Sequence, residues 1–178
     1  AKYTANSSDT DGSVTFSIAF SDSSGNAGTA VTTVTDGSSV TFDDSVPTLT
    51  SVGIVSNNAT TTIAKIGDVV TLSFTANETI GTPTVTFQSG GAAITNSVTY
   101  ANPSDNNWTA AYTTHDSDTD GSVTFSIAFS DSTGNAGVAV TAVTDGSSVT
   151  YDDTVPTISA IGTGLFSWGP VLNATEDN

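Results

Sequence analysis

Three groups of oxygen-bearing side chains return at fixed places in this chain, and they have the most chemistry to offer. Asp118-Thr119-Asp120-Gly121 and its counterpart Asp9-Thr10-Asp11-Gly12 precede a run of alternating apolar residues. Asp131-Ser132-Thr133-Gly134-Asn135 and Asp22-Ser23-Ser24-Gly25-Asn26 follow that run, and the pairs Asp43-Asp44 and Asp152-Asp153 lead into Val-Pro. Carboxylate and amide oxygens are hard ligands, which Ca²⁺ gathers in sets of about 6 to 8 at roughly 2.4 Å. Asp, Asn and Gly also dominate turns for backbone reasons alone. For Asp118 and Asp120 both readings stand; for a linker Asp beside the Asp131 to Asn135 loop we take the ligand reading.

The charge balance narrows the partners. There are 18 acidic residues against Lys2 and Lys65, a formal charge of −16, and 16 of the 18 are Asp. Nucleic acid needs cations facing its phosphates, so it is excluded, and anionic membrane surfaces are excluded for the same reason. The excess has a plain alternative in solubility. With no Cys, neither disulfides nor thiolate metal sites hold the fold. One His and two Lys leave general acid/base chemistry few candidates, and the expectation is that the chain is not an enzyme. No apolar run approaches the roughly 18 residues of a membrane helix.

The elements that must position the acids come in two copies. Residues 9–48 match residues 118–157 with a shift of 109 positions and 35 identities in 40. Solenoid units run about 20 to 50 residues, whereas about 100 residues is one sandwich domain. The spacing therefore predicts tandem modules: the closing part of one at 1–45, a whole one at 46–154, and the start of a third, divergent one at 155–178. The chain is expected to be an interior segment of a longer protein.

Within the whole module, the stretch from Ser122 to Asp131 alternates strictly and predicts a half-buried strand with Val123, Phe125, Ile127 and Phe129 on one face. Val14, Phe16, Ile18 and Phe20 are expected in the same roles in the first copy. Val70, Leu72 and Phe74, and then Val85 and Phe87, mark two further strands, and together with the 123–129 set they form the predicted core. Residues 48–56 read as an edge strand continued by 60–67, residues 92–101 as a strand closed by a break at 102–107, and residues 138–153 as a last strand interrupted at Asp145-Gly146. Seven or eight short strands with regular turn signals predict an all-β fold of antiparallel sandwich modules. Trp108 reads as a packing residue, and His115 as a surface one.

In an immunoglobulin-like sandwich of this kind the acidic loops converge. Asn77, Glu78 and the Asp131 to Asn135 loop fall at the pole where the chain enters, beside Asp43 and Asp44, and the preceding module contributes Asp9 and Asp11 from its outgoing pole. Eight oxygen-bearing side chains then meet with no Lys or Arg nearby. The candidate metal ligands are accordingly Asp43, Asp44, Asp131, Asn135, Glu78, Asp9 and Asp11. The repeated positions Asp22, Asn26, Asp118, Asp120, Asp152 and Asp153 join them.

Asp44-Ser45-Val46-Pro47, Asp153-Thr154-Val155-Pro156 and the two Asp-x-x-Gly-Asn loops resemble the motifs of bacterial immunoglobulin-like (Big-type) tandem repeats. That family's junction has the form Asp-x-x-Ala-Pro. Here it is one residue shorter counted from Asp44 or Asp153, and carries Val in place of Ala counted from Asp43 or Asp152. The resemblance implies a cell-surface, extracellular location in a giant adhesin or fibre, with Ca²⁺ stiffening the junctions.

The leading expectation is a structural spacer whose partners are the neighbouring modules of the same chain, and identical chains if it forms a fibre. The alternatives are a glycan- or surface-binding module, with Tyr100, Trp108 and Tyr112 as a stacking platform, and a filament subunit assembled by strand complementation. The last follows because residues 1–45 hold only closing strands, so their open edge calls for upstream chain or a neighbouring molecule.

Overall fold

The computed structural model describes residues 1–159. Most of the expected third module lies outside the described residues. The described chain is all-β, with short elements β1 (Gly12–Ser13) and β2 (Thr41–Phe42) followed by β3 (Leu49–Ser56), β4 (Ile63–Ala64), β5 (Val69–Ala76), β6 (Thr84–Ser89), β7 (Ala92–Ala93), β8 (Thr99–Ser104), β9 (Asn107–Thr113), β10 (Gly121–Ala128) and β11 (Thr150–Tyr151). β1 and β2 form a small antiparallel pair. The remainder builds two sheets, one in the order β3-β5-β9-β8 and the other in the order β4-β11-β10-β6-β7. All neighbours are antiparallel except β4 and β11, which run parallel.

Alternation of side chains decides which face of each sheet is buried. β5 turns Val70, Leu72, Phe74 and Ala76 inward, β9 turns Trp108, Ala110 and Tyr112 inward, and β3 adds Val52 and Ile54. The opposing sheet contributes Val85 and Phe87 from β6, Val123, Phe125 and Ile127 from β10, and Tyr151 from β11. The two faces share one core, in which the Phe87 and Tyr112 rings meet at 4.9 Å with a 44° tilt. Edge-tilted aromatic pairs of this kind add about 0.5–1.5 kcal/mol beyond the area they bury. All nine residues predicted from the pattern as core are buried.

Three elements differ from the sequence-based expectation. Residues 60–67 do not extend β3; the chain crosses to the other sheet, where the N–H groups of Thr150 and Asp152 bond to the carbonyls of Thr62 and Ala64. The 92–101 run is split into β7 and β8, and β8 continues through Pro103, which an edge strand tolerates because no ladder N–H is needed there. Between the bridge at Val140 and β11 the chain follows β3 without pairing regularly, held by backbone N–H groups of β3 that donate to the hydroxyls of Thr144 and Ser147: Val52 N–H reaches Thr144 Oγ1 at 2.9 Å and Ile54 N–H reaches Ser147 Oγ at 2.8 Å. In these two contacts the hydroxyl oxygens accept, and Thr144 Oγ1 donates onward to the Val52 carbonyl.

The fourth difference is the most informative. Val123, Phe125, Ile127 and Phe129 are buried, yet Val14, Phe16, Ile18 and Phe20 are exposed, Phe16 at 40% against 8% for Phe125 and Ile18 at 55% against 0% for Ile127. Among the described residues the first copy therefore does not play the same role. The sequence is nearly the same in both places, but β10 lies between β6 and β11 and faces β5 and β9, whereas among the described residues no counterpart of β5, β6 or β9 stands beside residues 13–20. Pairing accordingly shrinks from the eight residues of β10 to the two of β1, because a strand is defined by its neighbours more than by its own propensity.

Candidate functional site at the module junction

The linker between β2 and β3 is bonded on both sides. From the preceding repeat, Asp11 Oδ1 accepts the N–H of Asp44 at 2.9 Å and its Oδ2 accepts the Ser45 hydroxyl at 2.6 Å. These two bonds lower the Asp11 pKa, the Ser45 hydroxyl contributing most. From the following repeat, Asn77 binds the backbone of Thr48 in both directions: its Oδ1 accepts the Thr48 N–H at 2.7 Å, and its own N–H donates to the Thr48 carbonyl at 2.9 Å. Asn135 Nδ2 donates to the Asp43 carbonyl at 3.0 Å. Pro47 is buried, with its carbonyl over Gly137, where an added Cβ would come within 2.8 Å of it.

The same arrangement recurs at the second junction. Asp120 Oδ1 accepts the Asp153 N–H at 2.9 Å, Oδ2 accepts the Thr154 hydroxyl at 2.7 Å, and both bonds lower its pKa, the backbone one first. Ser45 and Thr154 are one of the five exchanges between the repeats, and each keeps the hydroxyl that this clasp uses.

Asp131 organises the loop after β10. Its Oδ1 accepts the N–H groups of Thr133, Gly134 and Asn135 and the Thr133 hydroxyl at 2.7–2.9 Å, and Oδ2 accepts Asn135 Nδ2 at 2.8 Å. Burial works to raise its pKa, but the side chain and backbone of Asn135, then Thr133 and Gly134, outweigh it and hold the carboxyl at about 2. The loop is thus a closed cap around an ionised carboxylate. In the first copy, on an exposed loop, Asp22 accepts the Ser24 N–H and both the N–H and the side-chain amide of Asn26.

Around this loop three carboxylates converge. One oxygen each from Asp43, Glu78 and Asp131 lie within 4.8 Å of one another, Asp131 buried and the other two half-buried. Two oxygens on opposite sides of a Ca²⁺ at about 2.4 Å each stand about 4.8 Å apart, so the trio fits within the span of one ion. Comparisons with protein families, curated proteins and solved structures find no match to this chain. The site is therefore read from its own geometry.

Of the sequence-predicted ligands, Asp43, Glu78 and Asp131 come together, with Asn135 bridging Asp131 and Asp43. Of the junction pair, Asp43 belongs to the trio and Asp44 is exposed outside it. Asp9 accepts from the Tyr3 hydroxyl and the Asn6 N–H, and the buried Asp118 from the N–H groups of Thr95 and His115. Asp11 and Asp120 form the clasps, Asp152 accepts the Thr154 N–H, and Asp153 is held through its own N–H by Asp120. None of these is in the trio. The roles of Asn77 and Gly137 as linker clamps were missed. The return of Gly-Asn-Ala-Gly at 25–28 and 134–137 was the available signal for Gly137.

The expected aromatic platform does not exist. Trp108 and Tyr112 are inward residues of β9 and are buried, and only Tyr100 is exposed. Even Tyr100 is committed, its hydroxyl accepting the Val85 N–H at 2.9 Å. Alternation along β9 places Trp108 and Tyr112 on the core face, which the sequence pattern shared with Ala110 already indicated.

Proposed function

We propose that this chain is a stretch of a tandem array of immunoglobulin-like modules that acts as a spacer in a long extracellular surface protein of the adhesin or surface-fibre type. The observation that carries the reading is the junction: a linker of a few residues is bonded to the repeat before it through Asp11 and to the repeat after it through Asn77 and Asn135. A spacer needs successive modules held in a fixed relation, and the half of the clasp that faces the preceding repeat returns at Asp120 and Asp153 one period later. The bacterial identity and extracellular location rest on the resemblance of the junction and loop motifs.

Ca²⁺ is the cation we assign to Asp43, Glu78 and Asp131. Three negative charges in that space repel without one, and oxygen-only donors suit a hard ion, with water completing the 6 to 8 ligands. The array itself is tested by small-angle scattering on chains of one, two and four whole modules. Strands of about 10 residues at roughly 3.3 Å each predict a growth on the order of 40 Å per module; a maximum dimension that fails to grow with module number refutes the spacer reading.

A further inference from the structure

The first copy carries a second surface, separate from the junction. Val14, Phe16, Ile18 and Phe20 form an exposed apolar row, continued by Val31 and Val40. Beside it runs a backbone edge that none of the described residues pairs with. Val14 and Ile18 donate their N–H groups to Val40 and Val31, as Val123 and Ile127 donate to Val149 and Val140. Successive groups along a strand point to opposite sides, so Thr15, Ser17 and Ala19 direct theirs away from that partner. Their counterparts Thr124, Ser126 and Ala128 stand opposite Gln88, Thr86 and Thr84 of β6.

A tight glycine seat completes the match. At Gly121, φ is +137° and an added Cβ would come within 2.9 Å of the Gly90 Cα. At Gly12, φ is +133° and nothing lies within 4 Å. The conformation that admits the Gly90-Gly91 turn is kept, and the space it fills is open.

We propose that the open face of residues 3–42 is a receptor for the opening strands of a further repeat, a segment with the sequence pattern of residues 46–109. The occupant is identified within the molecule, since residues 112–151, identical at 33 of 40 positions to residues 3–42, already hold that segment in a defined register. An apolar row, a free ladder edge and a vacant glycine seat all present themselves in the geometry that β6 uses on β10. This is strand addition whose specificity comes from alternate side chains and the turn. Tyr3 matches Tyr112, so the seat includes the place of the aromatic contact with Phe87.

The test lengthens the chain at its N-terminus with a second copy of residues 46–109, running into Ala1, and follows amide exchange. Exchange at Thr15, Ser17 and Ala19 is expected to slow by about 100-fold or more, toward that of Thr124, Ser126 and Ala128. Gly90→Val in the added copy is expected to abolish that protection, since Gly90 has φ +55° and abuts the carbonyl of its partner strand's turn. In a parallel chain, Phe16→Ser is expected to remove the near-ultraviolet signal of the added tryptophan while residues 46–154 melt unchanged. Unslowed exchange in the lengthened chain, or protection indifferent to both substitutions, overturns the proposal. Protection in the original chain that rises with concentration also overturns it, assigning the face to a second copy of the same chain.

Discussion

Asn135 donates its side-chain amide to the Asp43 carbonyl at 3.0 Å, joining residues 92 positions apart and fixing the linker to the loop that follows β10. The same amide bonds to Asp131 at 2.8 Å, so linker and loop share one donor group. Replacing Asn135 by Ala should cost about 1–3 kcal/mol, since each bond contributes roughly 0.5–1.5 kcal/mol. Urea unfolding of a chain containing residues 1–159 would measure it, and scattering should show a broader distribution of end-to-end distances. A loss of stability with no broadening would separate the loop from the junction.

The two copies permit a controlled comparison of one residue in two settings. Phe125→Ala should cost about 3–5 kcal/mol, the usual range for deleting a core aromatic side chain. Phe16→Ala, at the matching but exposed position, should change stability by no more than about 0.5 kcal/mol. Equal losses would mean that the first copy is packed in solution.

That contrast also defines what the sequence made legible. Alternation determined which face of β5, β6 and β10 is buried, because register fixes every side chain at once. It carried no information on whether a second sheet is present to cover that face, which is why Phe16 and Phe20 were expected in a core. Likewise, the Asp-x-x-Gly-Asn spacing located the loop that reaches the linker, but the choice of Asp43 over Asp44 depended on the path of the backbone through the clasp. Asp11 and Asp120 were ambiguous for a physical reason: a carboxylate that caps a turn and one that binds a cation use the same oxygens.

Acid should weaken the junction in a defined window. The Asp131 carboxyl titrates at about 2 in the folded chain against 3.8 for an unperturbed one, so the unfolded chain binds its proton first as pH falls. The stabilisation is fully present above pH 4 or so and is lost as pH drops toward about 2. Asp131→Asn should flatten this part of the melting temperature against pH, and an unchanged slope would show that other groups dominate acid unfolding.

Removal of divalent cations tests the trio. Binding restricted to the folded state adds RT ln(1 + [L]/Kd), about 2.7 kcal/mol at a hundredfold excess over Kd. Melting temperature should rise with Ca²⁺ and fall on EDTA addition, and Glu78→Gln should reduce the response without altering the Asn77 or Asn135 bonds to the linker. Identical melting in EDTA and in millimolar Ca²⁺ would leave Asp43, Glu78 and Asp131 as solvated charges.

Gly137→Ala should be costly for a steric reason, as the new methyl meets both the Phe129 ring and the Pro47 carbonyl. At Gly28 the atoms nearest an added methyl all belong to the Phe20 ring, which is exposed and free to move aside. A difference of about 1 kcal/mol or more between the two, by urea unfolding, is expected; equal effects would place the clash in the ring rather than at the junction.

The paired bonds from Asp11 to Asp44 and Ser45, and from Asp120 to Asp153 and Thr154, have a mechanical meaning. Tension carried along the chain would reach each boundary through two bonds side by side, just upstream of Pro47 and Pro156. Both must open before the linker straightens, while the sandwich core stays shut. In the array proposed above, a repeated clasp of this kind would act as a fuse, giving a first, reversible increment of extension before any sandwich unfolds.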